Sequence, residues 1–365
     1  MADFVKSPLN YTGGKYKLLP QIMPLFPTNI DTFVDLFCGG GNVGINTLAN
    51  HIIYNDKNHC LIELLKVFDT YDYQTIETKI EDNMITAPKV ITHGKFICQW
   101  VNDLMARPTA TAKWSEATRK RELWEQGESC IATKPCGNHF WRVHHNILKF
   151  HLSDAGRYGY AYYGCESSRG LGNYNKAPYM GLRKAFNEAE EKNDDYYLML
   201  YTLIIYSFNN QIRFNSKGEF NLPVGKRDFN SNIRKNLRQF VEALHKQNCQ
   251  FTSSDFQAVA PERFGNQDFV YCDPPYLIST ASYNEANGWT EEDETNLLRY
   301  LDQLNGRQVR FGLSNVMRHK GRKNEILISW AEKYKVHVLN YNYNNSNYHI
   351  KNKNEFTEEV FITNY

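Results

Sequence analysis

The sequence predicts an α/β protein: a doubly wound, Rossmann-like sheet with an inserted, mainly helical region. Three observations carry this. Short apolar runs alternate with helix-like stretches at both ends of the 365-residue chain, a glycine loop follows the first of those runs, and residues 81–249 break the alternation. Alternating strands and helices are the signature of a parallel sheet covered by helices.

Taken in order, "DTFVDLFCGGG" reads as a strand running into a glycine loop, and "NVGINTLAN" as the helix after it. "HIIYND" is a second strand and "NHCLIELLKVFDTY" an amphipathic helix. From about Gln250 the alternation resumes. "CQFTSSDF", "DFVYCDPPY", "QVRFGLSN", "KVHVLNYNY" and "EEVFITNY" read as strands, with "EDETNLLRYLDQL" and "NEILISWAEKY" as helices between them. The last strand pair is expected to be antiparallel. The interrupting region holds Trp100, Trp114, Trp124 and Trp141, many histidines and a Gly/Tyr-rich run.

Composition excludes several classes. Hydrophobic residues at 42% and charged residues at 22% are ordinary for a globular chain. No apolar run approaches the roughly 18 residues of a membrane span, and "MADFVKSPLNYTGGKYKLLP" lacks a signal peptide's apolar stretch. The eight scattered cysteines read as reduced thiols, so a cytoplasmic, membrane-free protein is expected. Net charge is only +2, so a nucleic-acid contact would need a local basic face. Cys130, Cys136 and His139, with His144 and His145 nearby, do not follow a usual zinc spacing, and no metal is expected.

The candidate site residues cluster at strand ends. Gly39, Gly40 and Gly41 let backbone approach a ligand closely, with Asp35 at the end of the strand before them. Asp56, at the tip of the next strand, has two readings: it holds the hydroxyls of a ribose, or it caps the following helix. "NYTGGKY" offers an aromatic face at Tyr11, flexible backbone and a cation at Lys15 suited to clamping a carboxylate.

The most informative stretch is "DFVYCDPPY". Pro274 and Pro275 remove two backbone donors, so the Asp273 carboxylate and the Pro274 carbonyl project as acceptors from a strand end. Two acceptors suit the two N–H donors of a planar amino group, and Tyr276 supplies a stacking surface. Accepting both hydrogens turns the amine's lone pair toward an electrophile. "IRFNSKGEFNLPVGKR" reads as a hairpin bearing Arg213, Asn215, Ser216, Lys217, Asn221, Lys226 and Arg227, and such a ribbon can enter a DNA major groove. Lys226 and Arg227 suit phosphate contacts.

These blocks together resemble the Dam-type N6-adenine DNA methyltransferases. "LNYTGGKYKLLPQI", "FVDLFCGGGNVGIN", "IIYNDKN", "FNNQIRFNSKGEFNLPVGKRDF", "SSDF", "VYCDPPY", "GLSN" and "EEVFITNY" follow that family's order. The resemblance implies S-adenosylmethionine as cofactor. It implies Tyr11, Lys15, Asp56 and Asp273 as contacts to it, Phe37 and Gly39 opening the glycine loop, and Asp255 with Phe256 beside its adenine. Asp273, Pro274, Pro275 and Tyr276 become the catalytic block. Tyr11 departs from the family, where Dam has tryptophan. The implied partner is double-stranded DNA, whose target adenine must be flipped out; the setting is either a restriction-modification system, with a cognate restriction endonuclease acting separately, or that of a solitary or phage modification enzyme. An N4-cytosine methyltransferase and a catalytically inactive DNA-binding module are the alternatives. The expected organisation is residues 1–80 and 250–365 as the catalytic domain, 81–190 as an atypical insert contacting DNA, and 191–249 as target-recognition helices and hairpin.

Overall fold

The computed structural model describes residues 4–9, 13–86, 175–226, 228–278, 288–340 and 357–365. These form two compact units, Met1–Tyr73 with Lys235–Tyr365, and Gln74–Arg234. The expected insert falls largely outside the described residues, as do Cys130, Cys136, His139, His144 and His145.

The first unit is built on one sheet. Its strands are β1 (Ile30–Asp35), β2 (Ala49–Asn55), β3 (Cys249–Thr252), β4 (Phe269–Cys272), β5 (Arg310–His319), β6 (Arg322–Lys323), β7 (Lys335–Leu339) and β8 (Thr357–Thr363). They lie in the order β3-β2-β1-β4-β5-β8-β7, with β6 paired to β5. β1 through β5 pair in parallel, and β8 runs antiparallel between β5 and β7. The predicted Rossmann-like α/β class is therefore the observed one. The order reverses between β1 and β4, which is where such sheets open a ligand crevice beyond the carboxyl ends of their strands.

Both faces of the sheet are covered because its central strands carry apolar side chains on both sides. Val34, Val270, Cys272, Phe311, Leu313, Val360 and Ile362 pack on one side with Leu297, Leu301, Leu304 and Leu327. Those leucines belong to two late helices, α7 (Glu291–Gly306) and α8 (Glu325–Ala331). α7 starts on a reciprocal cap, in which the Thr290 hydroxyl accepts from Asp293 N–H while the Asp293 carboxylate accepts from Thr290 N–H. On the other face Phe33, Phe269, Tyr271 and Phe361 gather around Phe26. The remaining helices are α1 (Leu19–Ile22), α2 (His59–Thr70), α3 (Tyr73–Thr86), α4 (Lys176–Glu188), α5 (Asp194–Tyr206) and α6 (Ser231–Leu244). α2 buries Leu61, Ile62, Leu64, Leu65, Val67 and Phe68, which follow helical spacing.

One predicted element is different. "NVGINTLAN" does not form a helix; a 3-10 turn spans Gly44–Asn46 and β2 already begins at Ala49. The register pairs Ala49 with Ile30, leaving too short a connection for a helix and a return to the strand. Side chains satisfy the backbone that a helix would have satisfied. Asn46 donates to the Val5 and Asn42 carbonyls, and Thr47 Oγ1 donates to the Val43 carbonyl. The strand expected over "CQFTSSDF" also ends early, at Thr252, before Asp255 starts a new 3-10 turn.

In the second unit, α4 and α5 pack through a stacked Phe186–Tyr196 pair with ring centroids 4.3 Å apart. Arg234 forms ion pairs with Glu77 and, at 2.9 Å, with Glu81.

Gly312 in β5 tests the packing of the sheet. A Cβ there would fall inside contact distance of the Phe361 and Phe269 rings. Gly312→Ala is expected to destabilise the fold by about 1–3 kcal/mol, the usual range for overpacking. The shift of the urea unfolding midpoint measures it, and an unchanged midpoint would contradict this packing.

Candidate active site

A cleft of about 540 Å³ opens beyond the carboxyl ends of β1 and β4. Lys15, Asp35, Phe37, Gly39, Asp56, Asp255, Phe256 and the Asp273–Tyr276 segment all line it. Residues drawn from five separate stretches of sequence thus converge on one crevice. Gly41 sits just behind it, against Phe240 and Tyr54. Tyr11 lies outside the described residues.

The floor is a charged cluster. Lys15 is buried, and its ammonium stands 2.7 Å from Oδ1 of Asp273. It also donates to the Tyr276 hydroxyl at 2.5 Å and to the Gly13 carbonyl at 3.2 Å. Tyr276 Oη is 3.3 Å from Asp273 Oδ1 and 3.2 Å from Oε1 of Glu359. Glu359, on β8, is buried too and lies 3.7 Å from the ammonium. The contacts from Lys15 and Tyr276 to Asp273 therefore both end on one oxygen, Oδ1. Burial raises the Asp273 pKa, the Lys15 charge and hydrogen bond oppose that rise, and Glu359 adds to it.

The wall is the glycine loop. Gly39 and Gly41 have φ of +50° and +75°, in the left-handed region that side chains disfavour. Asp56 ties this loop to the head of α2, since its two oxygens accept from Gly39 N–H at 2.9 Å and Asn58 N–H at 2.8 Å. The helix cap position itself belongs to Asn58. A carboxylate has about four acceptor sites, so Asp56 keeps capacity for two hydroxyl donors. Asp35 is buried beneath the loop and accepts from Gly44 N–H at 3.0 Å. Burial pushes its pKa up to about 8, with the Gly44 bond opposing and Asp273 and Asp56 adding to the rise.

At the far end three aromatic rings meet. Phe37, Phe256 and Trp289 have centroids 5.6, 5.8 and 5.9 Å apart. Asp255 beside them pairs with Lys57 at 2.9 Å. Burial would raise the Asp255 pKa, but the Lys57 bond and charge and the Gln257 N–H bond hold it below the ordinary value. Trp289 is itself fixed by a 2.6 Å bond to Glu294, a buried carboxylate that also accepts from Asn315 and Asn324.

Sequence reading missed Trp289, Lys57 and Glu359. Trp289 stands apart from the tryptophans of residues 100–141, directly before an N-cap threonine. Glu359 carries a usable signal, being a carboxylate inside an apolar run, "EEVFITNY".

The predicted hairpin is present in the second unit. Phe214 and Phe220 bridge antiparallel, and Gly218 N–H donates to the Asn215 carbonyl at 2.9 Å, with Gly218 at φ +77°. The hairpin is held on α4 by Asn187, which bonds both backbone groups of Phe220, and by Tyr179 on the Leu222 carbonyl. Arg213, Ser216, Lys217 and Lys226 are exposed. Asn215 spends its carboxamide on the turn, accepting from Lys217 and Glu219 N–H and donating to the Glu219 carboxylate. Asn221 accepts from Arg213 Nε at 2.8 Å. Arg227 lies outside the described residues.

A switch-point crevice with a glycine loop, a ribose-competent aspartate and an Asp-Pro-Pro-Tyr strand end defines a class I methyltransferase architecture. A family model described as D12 class N6 adenine-specific DNA methyltransferase matches residues 11–93 and 165–345, and the chain belongs to that family. It is similar to Type II methyltransferase M.FokI of Planomicrobium okeanokoites, with 37% identity over 369 aligned positions covering 100% of this chain and 43% of that protein. Modification methylase StsI of Streptococcus sanguinis is 34% identical over 99% of this chain and 43% of its own length. The DNA adenine methylase of Escherichia coli K12 is 29% identical over 44% of this chain and 56% of its own length. The chain thus spans less than half the length of the first two relatives.

The Asp35 environment predicts a pH dependence. Between its ordinary value of 3.8 and about 8 the folded chain keeps a proton that the unfolded chain releases. Asp35 therefore contributes fully below about pH 4, and that contribution is lost as pH rises through 8. Asp35→Asn cannot ionise, so its melting temperature should fall less between pH 5 and 8.5 than that of the wild type. Parallel melting curves across that range would refute the buried, protonated state.

Proposed function

We propose that this chain transfers a methyl group from S-adenosylmethionine to N6 of an adenine flipped out of double-stranded DNA. The observation that carries this is the position of Asp273: anchored through Oδ1 by a buried lysine, at the head of Asp-Pro-Pro-Tyr, on the floor of the cleft. Oδ2 of Asp273 and the Pro274 carbonyl accept the two hydrogens of the base amine. That draws the lone pair out of the ring's conjugation and aims it into the cleft. Tyr276 stacks on the extruded base, and the cost of unpairing is roughly a few kcal/mol. The amine's surplus proton passes to Oδ2 of Asp273, whose basicity burial raises.

The donor set fits the cofactor. Phe37, Phe256 and Trp289 offer a stacking box for its adenine, and Asp255 lies beside it. Asp56 has acceptor capacity for its ribose hydroxyls, and the glycine loop admits close backbone approach. When bound, S-adenosylmethionine supplies a sulfonium methyl that needs neither metal nor strong base. The buried Lys15 is directed at Asp273, so it supports the aspartate's charge.

Exposed Arg213, Ser216, Lys217 and Lys226 give the hairpin its DNA-contacting groups, with Asn221 oriented by Arg213 and Arg227 completing the run. Asn215 shapes the turn. Arg and Lys suit guanine edges or phosphates. The names of the relatives, a Type II methyltransferase and a modification methylase, support a role in protecting DNA against a separate endonuclease. Cytosine N4 is disfavoured by the family match, and an inactive scaffold by the intact Asp273 cluster.

Labelled methyl transfer into unmethylated plasmid DNA, followed by mapping of modified adenines, tests the whole reading. No incorporation, or incorporation at cytosine, would overturn it. Asp273→Ala should lower transfer at least a thousandfold while DNA affinity stays within about threefold, in line with loss of a group acting mainly in the transition state. Trp289→Ala should weaken cofactor binding roughly two- to tenfold, as aromatic pairs are worth about 0.5–1.5 kcal/mol. Calorimetric titration measures it, and unchanged affinity would remove Trp289 from the binding box.

A further inference from the structure

The geometry points to Glu359 as a positioning residue for methyl transfer: it fixes the Tyr276 hydroxyl and, through it, the plane of the ring that meets the target base. This rests on the methyl-transfer reading above.

Glu359 is 2% exposed, yet it sits in a strand whose next four residues are all buried in the core. A carboxylate is costly to bury, so its partners account for its place there. Two of those partners are functional candidates: Tyr276 Oη at 3.2 Å and the Lys15 ammonium at 3.7 Å. Neighbouring Glu358 faces the other way and pairs with the half-exposed Arg318 at 3.0 Å, as alternation along a strand requires. The strand also carries a device that aims Glu359. Opposite the step from Glu359 to Glu358, β5 advances from Val316 to Arg318, so Met317 is an extra residue in the ladder. Such bulges redirect side chains and concentrate beside active sites.

A tyrosine hydroxyl has one hydrogen and two acceptor positions. The Lys15 ammonium donates to it, which leaves its own hydrogen to donate, and two carboxylates stand within reach, Glu359 at 3.2 Å and Asp273 at 3.3 Å. Asp273 already receives Lys15 directly at 2.7 Å. Glu359 is thus the better recipient, and taking that hydrogen leaves Asp273 to the base amine. A ring held at its hydroxyl by a cation on one side and an anion on the other has a set plane. That placement matters for the chemical step more than for binding, because small misplacements are expressed in rate.

The experiment is a double-mutant cycle on the full chain, with labelled S-adenosylmethionine and unmethylated plasmid DNA. Glu359→Gln should lower kcat about tenfold, at the lower end of what a hydrogen bond to a charged group is worth. KM for DNA and calorimetric cofactor affinity should stay within about twofold. Tyr276→Phe keeps the ring and should cost at least as much. In that background Glu359→Gln should have no further effect beyond twofold, because the two act through one hydroxyl. Glu358→Gln, on the opposite face, should leave kcat unchanged and controls for disturbance of β8. Glu359→Asp keeps the charge but shortens the reach, and should also lower kcat, which serves where the glutamine variant melts below assay temperature. A Glu359→Gln loss that persists in full on top of Tyr276→Phe, or variants that turn over like wild type, would overturn the inference. Wild-type enzyme that transfers no methyl group overturns the methyl-transfer reading itself and the inference with it, so the two failures are distinguishable.

Discussion

A lysine ammonium and an aspartate carboxylate, 2.7 Å apart in a largely dry corner, hold the rest of the site in place. Taking either charge out of water alone would cost several kcal/mol, so each requires the other. Lys15 belongs to the amino-terminal segment and Asp273 to a strand end more than 250 residues later. Their attraction docks that segment over the sheet, and it positions the two elements that bring Gly13 and Tyr276 to the same point. The pair also keeps charge available where a strand end projects its acceptors, which burial by itself would have neutralised.

The sheet supplies the second condition. Strand order reverses between β1 and β4, so Asp35, the last residue of β1, and Asp273, just after β4, arrive side by side at the base of the crevice. Asp56 follows β2, the next strand over, and reaches back to the glycine loop. Asp273 and Asp56 add to the rise that burial gives the Asp35 pKa, and each of the three carboxylates is held by specific N–H donors or by Lys15. The aromatic trio at the far end is fixed by Glu294, whose hydrogen bonds to Trp289, Asn315 and Asn324 satisfy a buried charge. The cleft is therefore polar at its floor, apolar at its end and lined with backbone between them.

The hairpin shows how a surface element can be prepared for contact by its own bonds. Asn215 and Gly218 make the turn, and Asn187 anchors the returning strand at Phe220. What remains exposed includes three cations, a hydroxyl and the Glu219 carboxylate that accepts from Asn215. A side chain that looks like a base reader in the sequence can also carry a structural task, as Asn215 does, because a turn with positive φ at its last residue needs an acceptor for its backbone N–H groups.

Much of this was legible in the chain itself. The apolar runs that became β1, β4 and β5, the helical spacing of α2 and α7, and the Asp-Pro-Pro-Tyr block depend on local periodicity and on what proline permits, and local rules suffice for them. The failures have equally physical causes. The helix expected after the glycine loop gave way to a 3-10 turn because the register of β2 on β1 left too few residues, and register is set by pairing partners far away. Trp289 joined Phe37 and Phe256, Glu359 met Tyr276 and Lys15, and Asp56 bonded Gly39 only once the sheet order was in place. The sequence by itself determined the strand, loop and acceptor chemistry at residues 35–41 and 269–276, because those features are written in consecutive side chains. Only the tertiary structure decided which charges meet and which ring each one orients, since burial and proximity arise between residues that the chain order keeps apart.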